Sequence, residues 1–270
     1  MTEALERLVG APFSLVELKR RPGRRRTLRA RGPNGSAIVK IYASDRAALV
    51  ARRVASLADG PPEVVVPEVL HLEAERHVVV LSDVPGRPLR EALLDGTLRS
   101  CKRAGLALGT WHAAWEGAAP DGLSAHTVER ELEILRKRAA SASSTVARAV
   151  DDALADFAEE WEPTTVVHRD LYEEQILIGR RVGLIDLDDA ALGPPELDVG
   201  NLLAHIELLE LRRGRNLTRG KNALLEGYGE ARPAYDDALV DCCRSLTLLR
   251  LACLNDGGVL ASALAAGAFA

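Results

Sequence analysis

The chain has 270 residues, of which 47% are hydrophobic, and its 35 basic and 39 acidic residues leave a net charge of −4. This composition can bury a substantial core in one two-lobed domain or two small ones, and it argues against disorder and against wholesale nucleic-acid binding. No run nears the roughly 18 apolar residues of a membrane span, and Glu3, Glu6 and Arg7 stand where a signal peptide would be apolar, so a cytoplasmic protein is expected. The cysteines, Cys101, Cys242, Cys243 and Cys253, have no metal-ligand spacing and are expected to be reduced, buried thiols.

From the N-terminus, Phe13 to Leu18, Thr27 to Ala30 and Ala37 to Tyr42 read as three strands of an antiparallel meander. Their turns fall at Pro22-Gly23 and at Gly32-Pro33-Asn34-Gly35. Ser44 or Asp45 is placed to cap a helix running to about Ala58, with Ala47, Leu49, Val50, Val54 and Leu57 on its apolar side. Extended segments follow at Val64 to Val66, Val69 to Leu72 and His77 to Leu81. The stretch Ser82-Asp83-Val84-Pro85-Gly86 then reads as a hinge. The lobe boundary is placed there, dividing residues 1–83 from 84–270. Beyond it, 89–95, 100–116, 126–161, 195–212, 218–229 and 236–254 carry helical patterns, interrupted by strand-like runs at 164–168 and 182–187.

The chemistry concentrates between Val166 and Ile178. Apolar residues flank a polar loop, so buried backbone clamps both of its ends. Phosphoryl transfer needs an acceptor for a hydroxyl proton, oxygen ligands for magnesium and a cation on the phosphates. Asp170 suits the first task. Gln175 offers an amide oxygen five residues later, and Asp186, after the strand Val182 to Ile185, offers a hard carboxylate. Lysine is scarce: Lys19, Lys40, Lys102, Lys137 and Lys221 are all of them, so 35 − 5 leaves 30 arginines. Lys40 shares a strand face with Ile38 and Tyr42, which by itself also suits a snorkelling edge lysine.

These residues carry a resemblance to the aminoglycoside phosphotransferase-like kinases, relatives of the protein kinases. His168-Arg169-Asp170 with Gln175 resembles the family's His-x-Asp-x-x-x-x-Asn loop, and Leu184 to Ala190 resembles its Ile-Asp-x-x-x-Ala segment. Gly193 to Gly200 resembles the next landmark, in which an aspartate, here Asp198, supports the catalytic loop. Weaker echoes are Leu108-Gly109-Thr110-Trp111-His112 and Leu225-Glu226-Gly227-Tyr228, so the resemblance runs from about Phe13 to about Leu254.

The resemblance implies an α+β, bilobal protein kinase-like fold, with a small antiparallel-sheet N-lobe, a mainly helical C-lobe and nucleotide in the cleft. It implies a Mg2+-dependent kinase using ATP or GTP, with Asp170 as base, Gln175 and Asp186 on the metal and Lys40 on phosphate. Backbone near Ser82, Asp83 and Val84 would receive the nucleobase, Arg25 is a cofactor-site candidate in a basic turn, and His168 and Asp198 are structural supports. Asp188 and Asp189 read as loop hydrogen bonding and helix-start charge.

Two departures stand out. Residues 46–58 hold no glutamate to pair with Lys40, and Gln175 replaces the usual asparagine. The connection from Asp186 to Asp198 is too short for a regulated kinase's activation segment, so a hydroxyl-bearing small molecule is the expected acceptor. The basic run Arg212 to Arg219 does not suit a polycationic aminoglycoside, but Glu173, Glu174, Glu207 and Glu210 could still recognise an amine, so sugars, amino alcohols and other hydroxylated metabolites all remain open. Ser or Thr of a biosynthetic peptide is the alternative acceptor, and a nucleotide-binding pseudokinase is the alternative to turnover.

Overall fold

A computed structural model describes residues 1–155, 161–256 and 258–268. In chain order its elements begin with helix α1 (Thr2–Val9), the strands β1 (Ser14–Arg21), β2 (Arg25–Gly32) and β3 (Gly35–Tyr42), and helix α2 (Arg46–Ser56). Strands β4 (Val64–Val65), β5 (Val69–Glu73), β6 (Val78–Ser82) and β7 (Arg87–Pro88) precede helices α3 (Leu89–Asp95), α4 (Leu98–Ala114), α5 (Val128–Ala139) and α6 (Ser144–Ala155). Strands β8 (Thr165–Val167), β9 (Ile176–Ile178), β10 (Val182–Leu184) and β11 (Ala191–Gly193) follow. Helices α7 (Pro195–Arg213), α8 (Thr218–Ala231), α9 (Asp237–Leu254) and α10 (Val259–Gly267) end the described chain.

The chain forms two compact units. The first comprises Met1–Arg87, Pro120–Leu123 and Leu177–Asp189. Its main sheet has the order β1-β2-β3-β6-β5, antiparallel throughout, and β10 pairs in parallel with β4. The β1–β2 turn contains Gly23 at φ 66°, a left-handed conformation that glycine adopts without a Cβ penalty. Helix α1 is a feature the pattern reading passed over. It buries Leu5 and Val9 against Leu28, Ala30, Val39 and Val80, and burying one such leucine is worth about 1.5–3 kcal/mol. Asp45 occupies the N-cap position of α2 but makes no capping hydrogen bond through its side chain.

The second unit comprises Pro88–Ala119, Ser124–Ile176 and Ala190–Ala270, and is mainly helical. The single helical run expected over 126–161 is two helices, α5 and α6, separated at Ala140 to Ser143. Serines compete for backbone hydrogen bonds and break such runs. Residues 156–160 of that expected run lie outside the described residues. The described cysteines are all free and lie in α4 and α9, but only Cys101 and Cys243 are buried, while Cys242 and Cys253 are half-buried.

Helices α4 and α8 approach closely because glycine occupies both contact points. A Cβ built on Gly105 would lie 1.8 Å from the Leu224 carbonyl oxygen, and one on Gly227 would lie 2.0 Å from that of Lys102. Gly105→Ala is therefore expected to cost at least about 2 kcal/mol, inside the usual range for overpacking. Urea unfolding measures this, with Gly258→Ala, where the added carbon meets nothing, as the near-neutral control.

Candidate functional site

Two side-chain clusters, one in each unit, hold all the residues singled out by the sequence except Ser82, Asp83 and Val84. In the first unit, Lys40 reaches inward from β3 and is only 4% exposed. A lysine buried to that degree needs counter-charge. Its Nζ donates to Asp186 Oδ1 at 2.8 Å and to Asp188 Oδ1 at 2.5 Å. The carboxylate missing from α2 is thus replaced by two from the turn after β10.

Arg25, on β2, forks onto Asp186 through Nη1 at 2.9 Å and Nη2 at 3.0 Å, and its Nη1 also donates to Asp188 Oδ2. The Tyr42 hydroxyl, from the same face of β3 as Lys40, donates to Asp188 Oδ2 at 2.7 Å. Arg53 Nη1 donates to the Asp188 carbonyl, and Arg46 Nη2 to Asp189 Oδ1 at 2.8 Å. Asp188 lies in the first turn of a short 3-10 helix (Leu187–Asp189) and accepts hydrogen bonds as expected, and at 3% exposure it is in addition a buried anion with cationic and phenolic partners.

Electrostatics follow from this packing. Burial alone would raise the Asp186 carboxyl, but Lys40 and Arg25 more than reverse that and hold it well below the usual carboxylate range. Burial likewise opposes the charges of Lys40 and Arg25, and the two aspartates outweigh it and raise both groups. Burial and then Asp188 push the Tyr42 phenol up, so it stays a donor. Asp186 also has φ 66°, a left-handed conformation uncommon outside glycine, and such strain tends to cluster where a side chain must be aimed.

Ser82 closes β6, where its N–H donates to the Glu68 carbonyl at 2.9 Å and its hydroxyl accepts from the Glu68 N–H at 2.8 Å. Asp83 is paired with Arg29 at 2.8 Å. Val84 is buried, and its Cγ1 lies only 2.5 Å from where a Cβ on Gly183 would fall.

In the second unit, β8 is wholly buried and pairs with β11, fixing the start of the loop that carries Asp170. Asp198, 0% exposed near the start of α7, accepts from the backbone N–H of His168 at 2.6 Å and of Arg169 at 2.8 Å. Its Oδ2 also lies 3.2 Å from His112 Nε2, while His112 Nδ1 is 3.0 Å from the Tyr228 hydroxyl. Asn201, one turn further along α7, donates to the Arg169 carbonyl at 2.8 Å. Thr247 and Arg250 from α9 donate to the Asn201 side-chain oxygen at 2.5 and 3.1 Å. Arg169 itself is held at φ 70°. The ring of His168 is fully buried.

Asp170 is half-buried at the end of this clamp. Gln175 is buried, and its Oε1 accepts from the Tyr172 N–H at 3.2 Å, which closes the loop on itself. Glu173 is 8% exposed, and its carboxyl is pushed up to about 7, mainly by burial. His205 stacks on Tyr172 with ring centroids 5.2 Å apart. Burial, with Arg250 and Arg212, lowers its imidazole to about 3, so it is neutral at pH 7.

Sequence reasoning missed Asp188 as a partner of Lys40, together with Arg53, Asn201 and the His112–Tyr228 pair. Tyr42 carried a signal, since it alternates onto the face of Lys40. Nothing local in the sequence marks Asn201.

An antiparallel sheet bearing the lysine–aspartate cluster, and a helical unit clamping an aspartate loop, define an α+β protein of kinase-like fold. The chain belongs to the phosphotransferase enzyme family, whose model matches residues 20–236. None of the curated proteins matches it significantly. Among solved structures, the fold is similar to that of the aminoglycoside-3'-phosphotransferase of type VIII, at 21% identity and a TM-score of 0.67 over 93% of this chain and 98% of that one. It is similar to a thermostable mutant of aminoglycoside phosphotransferase APH(4)-Ia in ternary complex with AMP-PNP and hygromycin B, at 16% identity and a TM-score of 0.65 over 99% and 95%. The choline kinase LicA from Streptococcus pneumoniae matches at 14% identity and a TM-score of 0.64, also over 99% and 95%.

Proposed function

We propose that the chain transfers the terminal phosphoryl group of ATP or GTP to a hydroxyl of a small molecule, with Asp170 as the base. The observation that carries this reading is the meeting of Lys40 and Asp186, 146 residues apart in sequence, at 2.8 Å on one buried cluster. A cation and a hard carboxylate held together are the nucleotide half of phosphoryl-transfer chemistry. The AMP-PNP and hygromycin B seen with a similar fold and the choline kinase neighbour support a nucleotide donor and a small hydroxylated acceptor.

The donor set fits magnesium. Among the described residues no three His, Cys, Asp or Glu side chains form a metal cage, and magnesium usually binds through one or two carboxylates plus substrate phosphates and water. Asp186, in the first unit, is the proposed ligand, whereas Gln175 lies in the second unit, where its amide oxygen accepts from the Tyr172 N–H. Bound there, magnesium would neutralise charge on the phosphate oxygens. Lys40 binds phosphate, with Arg25 as a second cation, and Asp188 takes the pairing role that a helix glutamate has in the resembled family. The segment Ser82 to Val84 is the proposed contact for the nucleobase. Asp170 accepts the hydroxyl proton as that oxygen attacks phosphorus, and the nucleoside diphosphate leaves. Asp198, with His168 behind it, keeps the loop in place.

The test is a panel of hydroxylated metabolites and Ser/Thr peptides with labelled ATP and GTP. A labelled small molecule, lost on adding EDTA, is expected. Label found only in peptide would overturn the acceptor class, and nucleotide binding without any product would leave a pseudokinase.

A further inference from the structure

The second unit contains a cavity of ≈ 410 Å³ lined in part by Tyr172, Glu173 and Glu174, from the loop that carries Asp170. The volume suits a small-molecule site. Leu208, Leu209 and Leu251 give it an apolar wall.

Two features of its polar lining identify a ligand class. Glu173 is 8% exposed, yet its Oε2 has no hydrogen-bond partner. A buried oxygen of this kind requires a donor, and a ligand hydroxyl supplies one. The second feature is unbalanced positive charge. Arg90 is neutralised by Glu174 at 2.6 Å, but Arg212 donates to the uncharged Asn255 amide oxygen at 2.9 Å and acts on the Glu173 carboxyl only at longer range, and neither Arg212 nor Arg213 forms a close ion pair with a carboxylate among the described residues. A polyamine entering the cavity would meet these guanidiniums as like charges, whereas a carboxylate or phosphate would meet a matching fork.

We propose that this cavity receives the phosphoryl acceptor and that the acceptor is a hydroxylated anion. One of its hydroxyls donates to Glu173 Oε2, and its carboxylate or phosphate is held by Arg212 and Arg213. The assignment of the ligand as acceptor rests on the kinase reading above, while the charge class rests on the cavity.

Four probes on one six-carbon polyol frame separate the possibilities: gluconate, sorbitol 6-phosphate, sorbitol and glucamine. Calorimetry on the full-length Asp170→Asn protein reads binding without turnover. Gluconate or sorbitol 6-phosphate is expected to bind at least about tenfold tighter than sorbitol or glucamine, a difference of about 1.4 kcal/mol, and which of the two is tighter distinguishes carboxylate from phosphate. The Arg212→Glu/Arg213→Glu double variant should abolish or invert that preference. Should this variant fail to fold, Arg213→Gln together with the salt dependence of binding gives the same reading, since a guanidinium–anion contact weakens as salt rises. Preferential binding of glucamine, equal or undetectable binding of all four, or an anion preference that survives loss of the arginines would overturn the proposal. An anion that binds tightly but is never phosphorylated by the unmodified protein would instead remove the kinase reading and leave the charge class standing.

Discussion

Asp170→Asn is expected to lower kcat about 10²–10⁴-fold, the usual contribution of a positioned general base, while nucleotide affinity and thermal stability stay nearly unchanged. The separation follows from how the loop is built. Its rigidity comes from Asp198 and Asn201, which hold the backbone at His168 and Arg169, whereas the Asp170 side chain makes no hydrogen bond or ion pair among the described residues. Asparagine keeps the size and planar shape of the side chain and removes its negative charge, and with it the capacity to take a proton. Initial rates with the best acceptor from the panel, together with a fluorescent-nucleotide titration and a melt, measure the three quantities. Turnover equal to that of the unmodified protein would sink the assignment of Asp170. A loss confined to KM for the acceptor would instead make it a binding residue.

The legible and illegible parts of this chain divide by the range of the interactions that determine them. The strands around Lys40 and the helices following residue 88 could be read because their apolar periodicity is local, and the family could be read because His168 to Gln175 and Leu184 to Ala190 are contiguous motifs with fixed spacing. The break between α5 and α6 was harder, since alanines carry the helical pattern across Ser141 and Ser143 without marking a stop. Helix α1 is only eight residues long and is stabilised by the sheet beneath it, which no window of its own sequence contains. The partner of Lys40 lay furthest from view. A family template directs attention to a glutamate in α2, and its absence there suggested a defect. Three separate segments had to be folded together before Asp188 could be recognised as supplying the missing charge.

That substitution of one partner for another underlies the second large expectation. Lys40, Arg25, Asp186 and Asp188 form a balanced tetrad, two cations and two anions, with side chains only 5%, 11%, 21% and 5% exposed. Asp188→Asn leaves two buried cations with one carboxylate, and removing one partner of a buried pair costs about 3 kcal/mol, which denaturant unfolding should show as a lower midpoint at unchanged slope. Asp186→Asn should cost less stability, because Asp186 is the more exposed of the two and Asp188 still holds Lys40, Arg25 and Tyr42.

Activity is expected to separate the two aspartates in a different way. In Asp188→Asn, Lys40 and Arg25 both lean on Asp186 and, at the metal site proposed there, would compete with magnesium for its oxygens, so the half-saturating magnesium concentration should rise about tenfold, equivalent to about 1.4 kcal/mol. In Asp186→Asn, no magnesium concentration should restore turnover. Magnesium titrations at saturating nucleotide distinguish these patterns. If Asp188→Asn keeps both its stability and its magnesium dependence, Asp188 is a bystander to Lys40 and the carboxylate missing from α2 has no replacement in this chain.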